Sequence, residues 1–502
     1  MPHQAPANRR EVAVLPEKET PLYETVWEWT KKMLRGSGAP VPLGKRLAVL
    51  VTGLVAGERA TSSQWASTVA GLKVTPAKEE SLVRRLERIL GDARLDPEKL
   101  LPTVFRNGLP EVLAEQIAAQ EGADATPGRT DPQSGLPLRL VIDESSKEDQ
   151  VHLLLVGLIY QGIALPLGVR CWKQQTKLPE EEYWWHLGSL LWEVHGVLPP
   201  VLRDQVVVVA DRGYGYPRWI DLIQSLKWSF VVRTPDQTRI DLGTGKVRAL
   251  RELVREPGGF WRGGFTPRPD PESAPVSDPE HPIAVFKKAG WRLCRVVVAW
   301  ALGQPSPWLL LTNLPPDHAH VQEYAQRWAI ERLFLSWKSH GWDLESSGIH
   351  DPARLGRLLT GLILATWWRV ALALPECLDH LSDLSDRAAR RSAPASLPAD
   401  PADSPQQASA STRFDPAPSP LPHQLSFSWS DHDFASTPPA PPHVEKPPSR
   451  PWPAKFSLLT WGLKVARNAS FRSTTPRLCW ALPPTRTSLW SSECALALAG
   501  AA

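Results

Sequence analysis

Apolar residues recur along this chain with two different periods, and the change from one to the other divides it. From Leu22 to about Gln120 they fall three and four residues apart, as at Leu82, Val83, Leu86 and Leu90, which predicts amphipathic helices. Arg84, Arg85 and Arg88 lie between those positions and give this N-terminal helical domain, residues 21–121, a basic face. Such a face serves a polyanion or is an ordinary solvated helix surface, and the residues alone leave both open. Residues 1–20 are polar with early prolines and predict a loose tail. Residues 122–137, rich in Gly, Pro, Asp, Thr and Ser, predict a linker.

Beyond the linker the pattern becomes that of strands. Residues 138–144, 151–160 and 163–172 are apolar runs separated by short polar or Gly-containing breaks, as in an antiparallel meander. A helix over 181–198, a Val-rich strand over 205–210, a short helix from about 217 to 226 and a strand over 228–233 follow. That order predicts an α/β fold, a mixed sheet with helices on both faces. Gly- and Pro-rich breaks at 257–282, with strand-like runs at 293–300 and 308–312, predict a β-rich insertion at 234–316 within a domain spanning 138–384. Asp317 is placed to cap a long helix running to about His340, and 355–374 forms another. From 385 to 450, Ala, Pro, Ser and Asp dominate; such a segment cannot offset its ordering entropy and is expected to be disordered. Within 451–502 only 456–466 reads as helical.

Composition changes this picture little. A chain of 502 residues has room for several domains, and a formal charge of +4 with a pI near 8.7 permits a polyanionic partner without demanding one. Cys171, Cys294, Cys377, Cys479 and Cys494 form no C-x-x-C pair, which suggests neither a zinc module nor a disulfide framework and suits a reducing cytoplasm. The N-terminus lacks the apolar core of a signal peptide. The longest apolar stretch, 359–374, is interrupted by Arg369 and reads as a buried helix, so no membrane partner is expected.

Two aspartates follow strand-like runs: Asp143 after Leu140-Val141-Ile142, and Asp211 after Val206-Val207-Val208-Val209-Ala210. Strand ends are where an open α/β sheet builds a site. They are also where turns and helix caps use acidic residues, and each aspartate alone fits either role. Gly213 and Gly215 allow close backbone approach after Asp211. Further on, Tyr324, Arg327, Glu331 and Lys338 are spaced by three, four and seven, which places them within about 60° of arc on one helical face. Arg327 and Glu331 are also spaced for an ordinary surface ion pair.

Taken together, Tyr-x2-Arg-x3-Glu-x6-Lys downstream of a strand ending in Asp and of Ala210-Asp211-Arg212-Gly213 resembles the DDE-class insertion-sequence transposases with the Y-R-E-K signature. The resemblance covers about 138 to 375 and implies a ribonuclease H-like catalytic domain. It implies metal ligation by Asp143, Asp211 and Glu331, with two Mg²⁺ ions that Mn²⁺ can replace, and phosphate contacts by Tyr324, Arg327 and Lys338. It implies as partners the double-stranded DNA of terminal inverted repeats and target DNA, bound by a homodimer. Trp308, heading Trp308-Leu309-Leu310-Leu311-Thr312, would stack on a base flipped from the DNA end, or else serve the core. Two departures stand out: Glu144 follows Asp143 and could compete with it as a ligand, and the Pro-rich stretch after Leu384 leaves the family's C-terminal dimerisation open. A stand-alone nuclease on the same fold and an inactive DNA-binding remnant are the alternative functions.

Overall fold

The computed structural model describes residues 22–124, 137–173, 178–241, 247–266, 276–278, 283–287 and 290–392. The periodic N-terminal segment forms α1 (Leu22–Met33), α2 (Val41–Ala56), α3 (Ser62–Gly71), α4 (Glu79–Gly91), α5 (Pro97–Val112) and α6 (Ala114–Asp124). In α4 the apolar stripe Leu82, Leu86, Ile89 and Leu90 is buried, while Arg84 and Arg88 are exposed. α2 is buried along its whole second half, from Leu47 to Ala56, and forms the bundle's interior. Asp96 caps α5 by accepting a hydrogen bond from the Glu98 amide.

The chain then forms β1 (Leu138–Lys147), β2 (Val151–Tyr160), β3 (Ile163–Lys173), α7 (Glu180–Val197), β4 (Val206–Ala210), α8 (Pro217–Ser225) and β5 (Ser229–Arg233). β6 (Arg239–Asp241), β7 (Val247–Ala249), β8 (Phe260–Thr266), β9 (Val276–Asp278), β10 (Ile283–Val285), β11 (Arg292–Ala299) and β12 (Trp308–Thr312) follow. The chain continues with α9 (Ala319–Ala325), α10 (Trp328–Leu335) and α11 (Pro352–Ser392). The sheet runs β3-β2-β1-β4-β5-β12-β11-β10-β6-β7, with β8 against β11 and β9 against β8. β1, β2 and β3 pair antiparallel, while β4 lies parallel between β1 and β5. β4 is buried at every position, as its unbroken Val run requires of a central parallel strand.

Side chains alternate across a strand, so neighbouring residues assign the helices to faces. Val207, Val209, Val231 and Leu310 pack with Tyr324 of α9 on the front. On the rear, Phe230 meets Trp219 of α8, and Glu144 meets Tyr183 of α7. Helices therefore cover both faces.

The structure differs from the sequence reading at several points. β1 does not end at Asp143; it continues to Lys147, because pairing with Val151–Tyr160 supplies the backbone partners that its polar end could not justify by burial. The segment expected as an insertion does not stand apart, since β12 pairs directly with β5 and extends the same sheet. The long helix expected from Asp317 to His340 is interrupted: α9 stops at Ala325, α10 starts at Trp328, and a π-helical turn occupies Ser336–His340. α11 runs past the expected break at 385 to Ser392, whereas the tail at 1–20, most of the linker and everything from 393 onward, including 456–466, lie outside the described residues.

The helices expected as a separate domain share a core with the sheet, and the described residues up to His380 form one compact unit; 381–392 of α11 belong to a second. α11 makes that core. Its Pro352–Ala373 portion has the length and apolarity of a membrane span, but 94% of its most apolar window is buried inside the fold. Trp367 donates to the Pro166 carbonyl of β3 (3.0 Å) and packs on Phe105, while Trp368 stands edge-on to Trp29. Arg369, the one charge between Leu358 and Ala373, is 1% exposed and donates to the carbonyls of Leu54, Val55 and Gly57 at the end of α2. Its guanidinium also lies 3.9 Å above the Trp342 ring. The cation thus satisfies carbonyls that a helix end leaves without partners.

We predict that Arg369→Leu costs on the order of 3 kcal/mol of stability, because it strands the buried carbonyls of Val55 and Gly57, while Leu54 keeps the Trp342 indole as a donor (2.7 Å). Denaturant unfolding of the variant checks this, and parent-like stability would show that the clamp is dispensable.

Candidate active site

Parallel pairing of β1 with β4 runs in register from Leu138↔Val206 to Ile142↔Ala210. The next residues are Asp143, still within β1, and Asp211, just past the end of β4 in extended conformation, so both carboxylates leave the front face side by side. On the other flank the β4–β5 register ends at Ala210↔Val232, which brings Arg233 next in the same row. α9 is fixed over this row by Glu323, which accepts from Arg139 of β1 (3.1 Å) and from His320 (2.7 Å). α10 is anchored by Arg332, which donates to the Gly162 carbonyl in the β2–β3 turn (2.6 Å).

From these helices Tyr324 donates its phenol to Asp211 (3.2 Å), and Arg327 bridges Asp143 (3.2 Å) and Glu331 (2.5 Å). The structure therefore gathers Asp143, Asp211, Glu331, Tyr324 and Arg327. Lys338 stands elsewhere: the π-helical turn carries it to the far end of β1, where it donates to the Ser146 carbonyl (2.5 Å) and pairs with Glu345 (3.0 Å). Trp308 is half-buried, edge-on to Tyr324 with ring centroids 4.9 Å apart, and packs on the front-face core.

Glu144 does not share the site with Asp143, because alternation turns it to the rear. There its carboxylate accepts from Tyr183 and from Tyr214 (3.0 Å) and shares a hydrogen bond with His152. Burial pushes this carboxyl up, but the hydrogen bonds from His152, Tyr183 and Tyr214 outweigh it and leave it below its ordinary range. Sequence reasoning missed that network, and it missed Arg233. The signal for Arg233 was its place at the end of β5, the same position on its strand that singled out Asp211.

Asp143 is held above the ordinary carboxylate range. Burial pushes its carboxyl up to about 6, the Glu144 amide and Arg327 oppose the rise, and Glu331 and Asp211 add to it. Burial also works against the Arg327 cation, yet Tyr324, Glu331, Asp211 and Asp143 together hold it charged. Burial raises the Tyr324 phenol to about 12, so it stays a donor to Asp211. Among the described residues no three His, Cys, Asp or Glu side chains stand close enough together to hold a metal ion as they are, and Arg327 lies between two of the carboxylates. The donor set nevertheless suits a hard divalent cation in its chemistry: Asp143 and Glu331 share Arg327, Asp211 accepts from Tyr324, and all three offer carboxylate oxygens.

The raised carboxyl makes a signed prediction. Asp143 binds its proton more tightly in the folded protein than its ordinary value of 3.8 allows, so metal-free stability falls as pH rises from about 4 to about 6 and stays lower above that. Asp143→Asn should therefore be more stable than the parent at pH 7, by about 1–3 kcal/mol. Below about pH 4 the advantage should vanish. Thermal unfolding of both proteins across this range, without divalent cations, tests it; a variant less stable at pH 7 would mean that the bond to Arg327 outweighs desolvation.

Two comparisons bear on this arrangement. No curated protein matches the chain. Residues 191–368 match the family described as a transposase DDE domain, a stretch that begins beyond Asp143 and contains Asp211, Trp308, Tyr324, Arg327, Glu331 and Lys338, and this similarity supports a transposase of the DDE type.

Proposed function

We propose that this protein is a transposase that cuts DNA at the ends of an insertion element and joins those ends to target DNA. The observation that carries the reading is the gathering of Asp143, Asp211 and Glu331 around Arg327 in a chain that resembles a DDE domain over 191–368. The order β3-β2-β1-β4-β5, with β4 and β5 parallel to β1, supports a ribonuclease H-like catalytic core. Asp143, Asp211 and Glu331 would hold Mg²⁺, or Mn²⁺ in its place; two such ions when bound make a water nucleophilic and stabilise the leaving 3′ oxygen.

The chain's own groups position the substrate. Arg327 suits bidentate contact with a phosphate, and the Tyr324 phenol, the Arg233 guanidinium and the Lys338 ammonium are further donors for the backbone of one DNA end. When Arg327 turns to a phosphate it leaves the carboxylates without their counter-charge, so occupancy by DNA and by cations reinforce each other. The exposed part of Trp308, beside Tyr324, offers a surface to a base lifted from the duplex. The exposed Arg84 and Arg88 of α4 extend phosphate contact away from the site, and a homodimer would hold the two inverted repeats together.

Duplexes made from the DNA flanking the gene, incubated with the protein and Mg²⁺, should yield 3′ ends joined to a second duplex. Cleavage without joining identifies a stand-alone nuclease, and binding without cleavage an inactive remnant. Asp143→Ala, Asp211→Ala and Glu331→Ala should each abolish cleavage yet keep most end binding, because affinity resides chiefly in phosphate contacts. Nicking that persists in any of them removes that residue from the chemistry. Lys338→Ala should flatten the dependence of log affinity on log salt by about one unit. An unchanged slope would leave Lys338 as a brace between Glu345 and β1.

A further inference from the structure

The two aspartates lie one step beyond the last β1–β4 pair, Ile142↔Ala210, so that ladder sets their spacing from one side only; Asp143 stays paired with Leu155 of β2, but Asp211 has left its strand. The front contacts cannot fix the other side during function, since Arg327 and Tyr324 are the groups assigned above to phosphate. The turn after Asp211 is instead held from behind. Tyr214, three residues on and 4% exposed, donates to Glu144, the residue after Asp143 (3.0 Å). At Gly215 an added Cβ would sit 2.6 Å from the Arg233 carbonyl, so the turn presses against the end of β5. Glu144 is itself held by Tyr183 of α7 and His152 of β2, and His152 stacks on Trp172 with centroids 4.6 Å apart.

We propose that Glu144 and Tyr214 form a rear tie that sets the spacing of Asp143 and Asp211, as positioning residues that never touch the cation or the DNA. The inference rests on the cation-binding role given above to the two aspartates. It accounts for an acidic residue next to Asp143 that faces away from the site, and for a buried phenol in the turn that follows Asp211.

The test is Mn²⁺ affinity of the full-length protein without DNA, measured by calorimetry, alongside thermal unfolding of each metal-free variant. Tyr214→Phe should bind Mn²⁺ about tenfold more weakly, the low end of what loss of a supporting hydrogen bond does at a metal site. Glu144→Leu should lose as much, whereas Glu144→Gln should retain most of the affinity, because its amide oxygen still accepts from Tyr214. The Tyr214→Phe/Glu144→Leu pair should be no weaker than the worse single variant. If Asp143→Asn and Asp211→Asn lose Mn²⁺ while Tyr214→Phe binds it like the parent, the tie is wrong and the ligand assignment stands. If both Asn variants bind like the parent, the ligand assignment fails and the tie falls with it. Should Tyr214→Phe not fold, equal losses in Glu144→Gln and Glu144→Leu overturn the proposal.

Discussion

Everything at the site hangs on one parallel pairing. β4 has no polar side chain of its own and is buried on both faces, so its position is set by hydrogen bonds to β1 and β5 and by the valines that pack above and below. A slip of a single residue in the β1–β4 register would turn Asp211 to the rear while Asp143 stayed in front. Because every residue from Val206 to Ala210 is buried, that slip would also exchange the side chains that meet α8 and α9, and the whole hydrophobic interior resists it. The carboxylates thus gain their relative placement from residues that have no chemistry.

With that placement given, the arrangement is electrostatically uncomfortable. Asp143 and Glu331 share the Arg327 cation, Asp211 takes the Tyr324 phenol, and burial pushes the Asp143 carboxyl up so that it holds its proton more tightly than usual. A protein selected only for stability would replace one of these acids by an amide or an apolar residue. Under the function proposed above that cost has a use, since grouped carboxylates are what a dication would take, with Arg327 as their counter-charge in its absence.

Much of this was legible in the sequence. The strands β1 to β5 and the helices between them were read from bounded apolar runs, and Asp211, Tyr324, Arg327 and Glu331 from strand-end position and helical spacing. What the sequence hid has physical causes. Ser145 and Ser146 carry no apolar signal, yet they belong to β1 because β2 pairs with them. Lys338 keeps its spacing from Glu331 in the chain but not its direction, since five residues of π-helix change the rotation; Gly341 then lets the backbone close on the Ser336 carbonyl where any side chain would collide. Glu144 read as a rival ligand because chain adjacency looks like spatial adjacency, whereas on a strand it means the opposite face. Arg233 stood at a strand end as Asp211 did, but only the β4–β5 register puts those two ends side by side, and no periodicity reveals a register.

The clamp at Arg369 sets a timetable. The carbonyls at the end of α2 wait for a partner that lies 312 to 315 residues further along the chain, so the helical bundle leaves the ribosome long before the group that completes it. At ordinary synthesis rates of about 5–20 residues per second, that interval is roughly 15–60 s. During it the faces of α5 and α1 that receive Trp367 and Trp368 lack those partners. A chain cut short before α11 would therefore release an unfinished bundle for proteolysis, and not a stable fragment that competes with the whole protein.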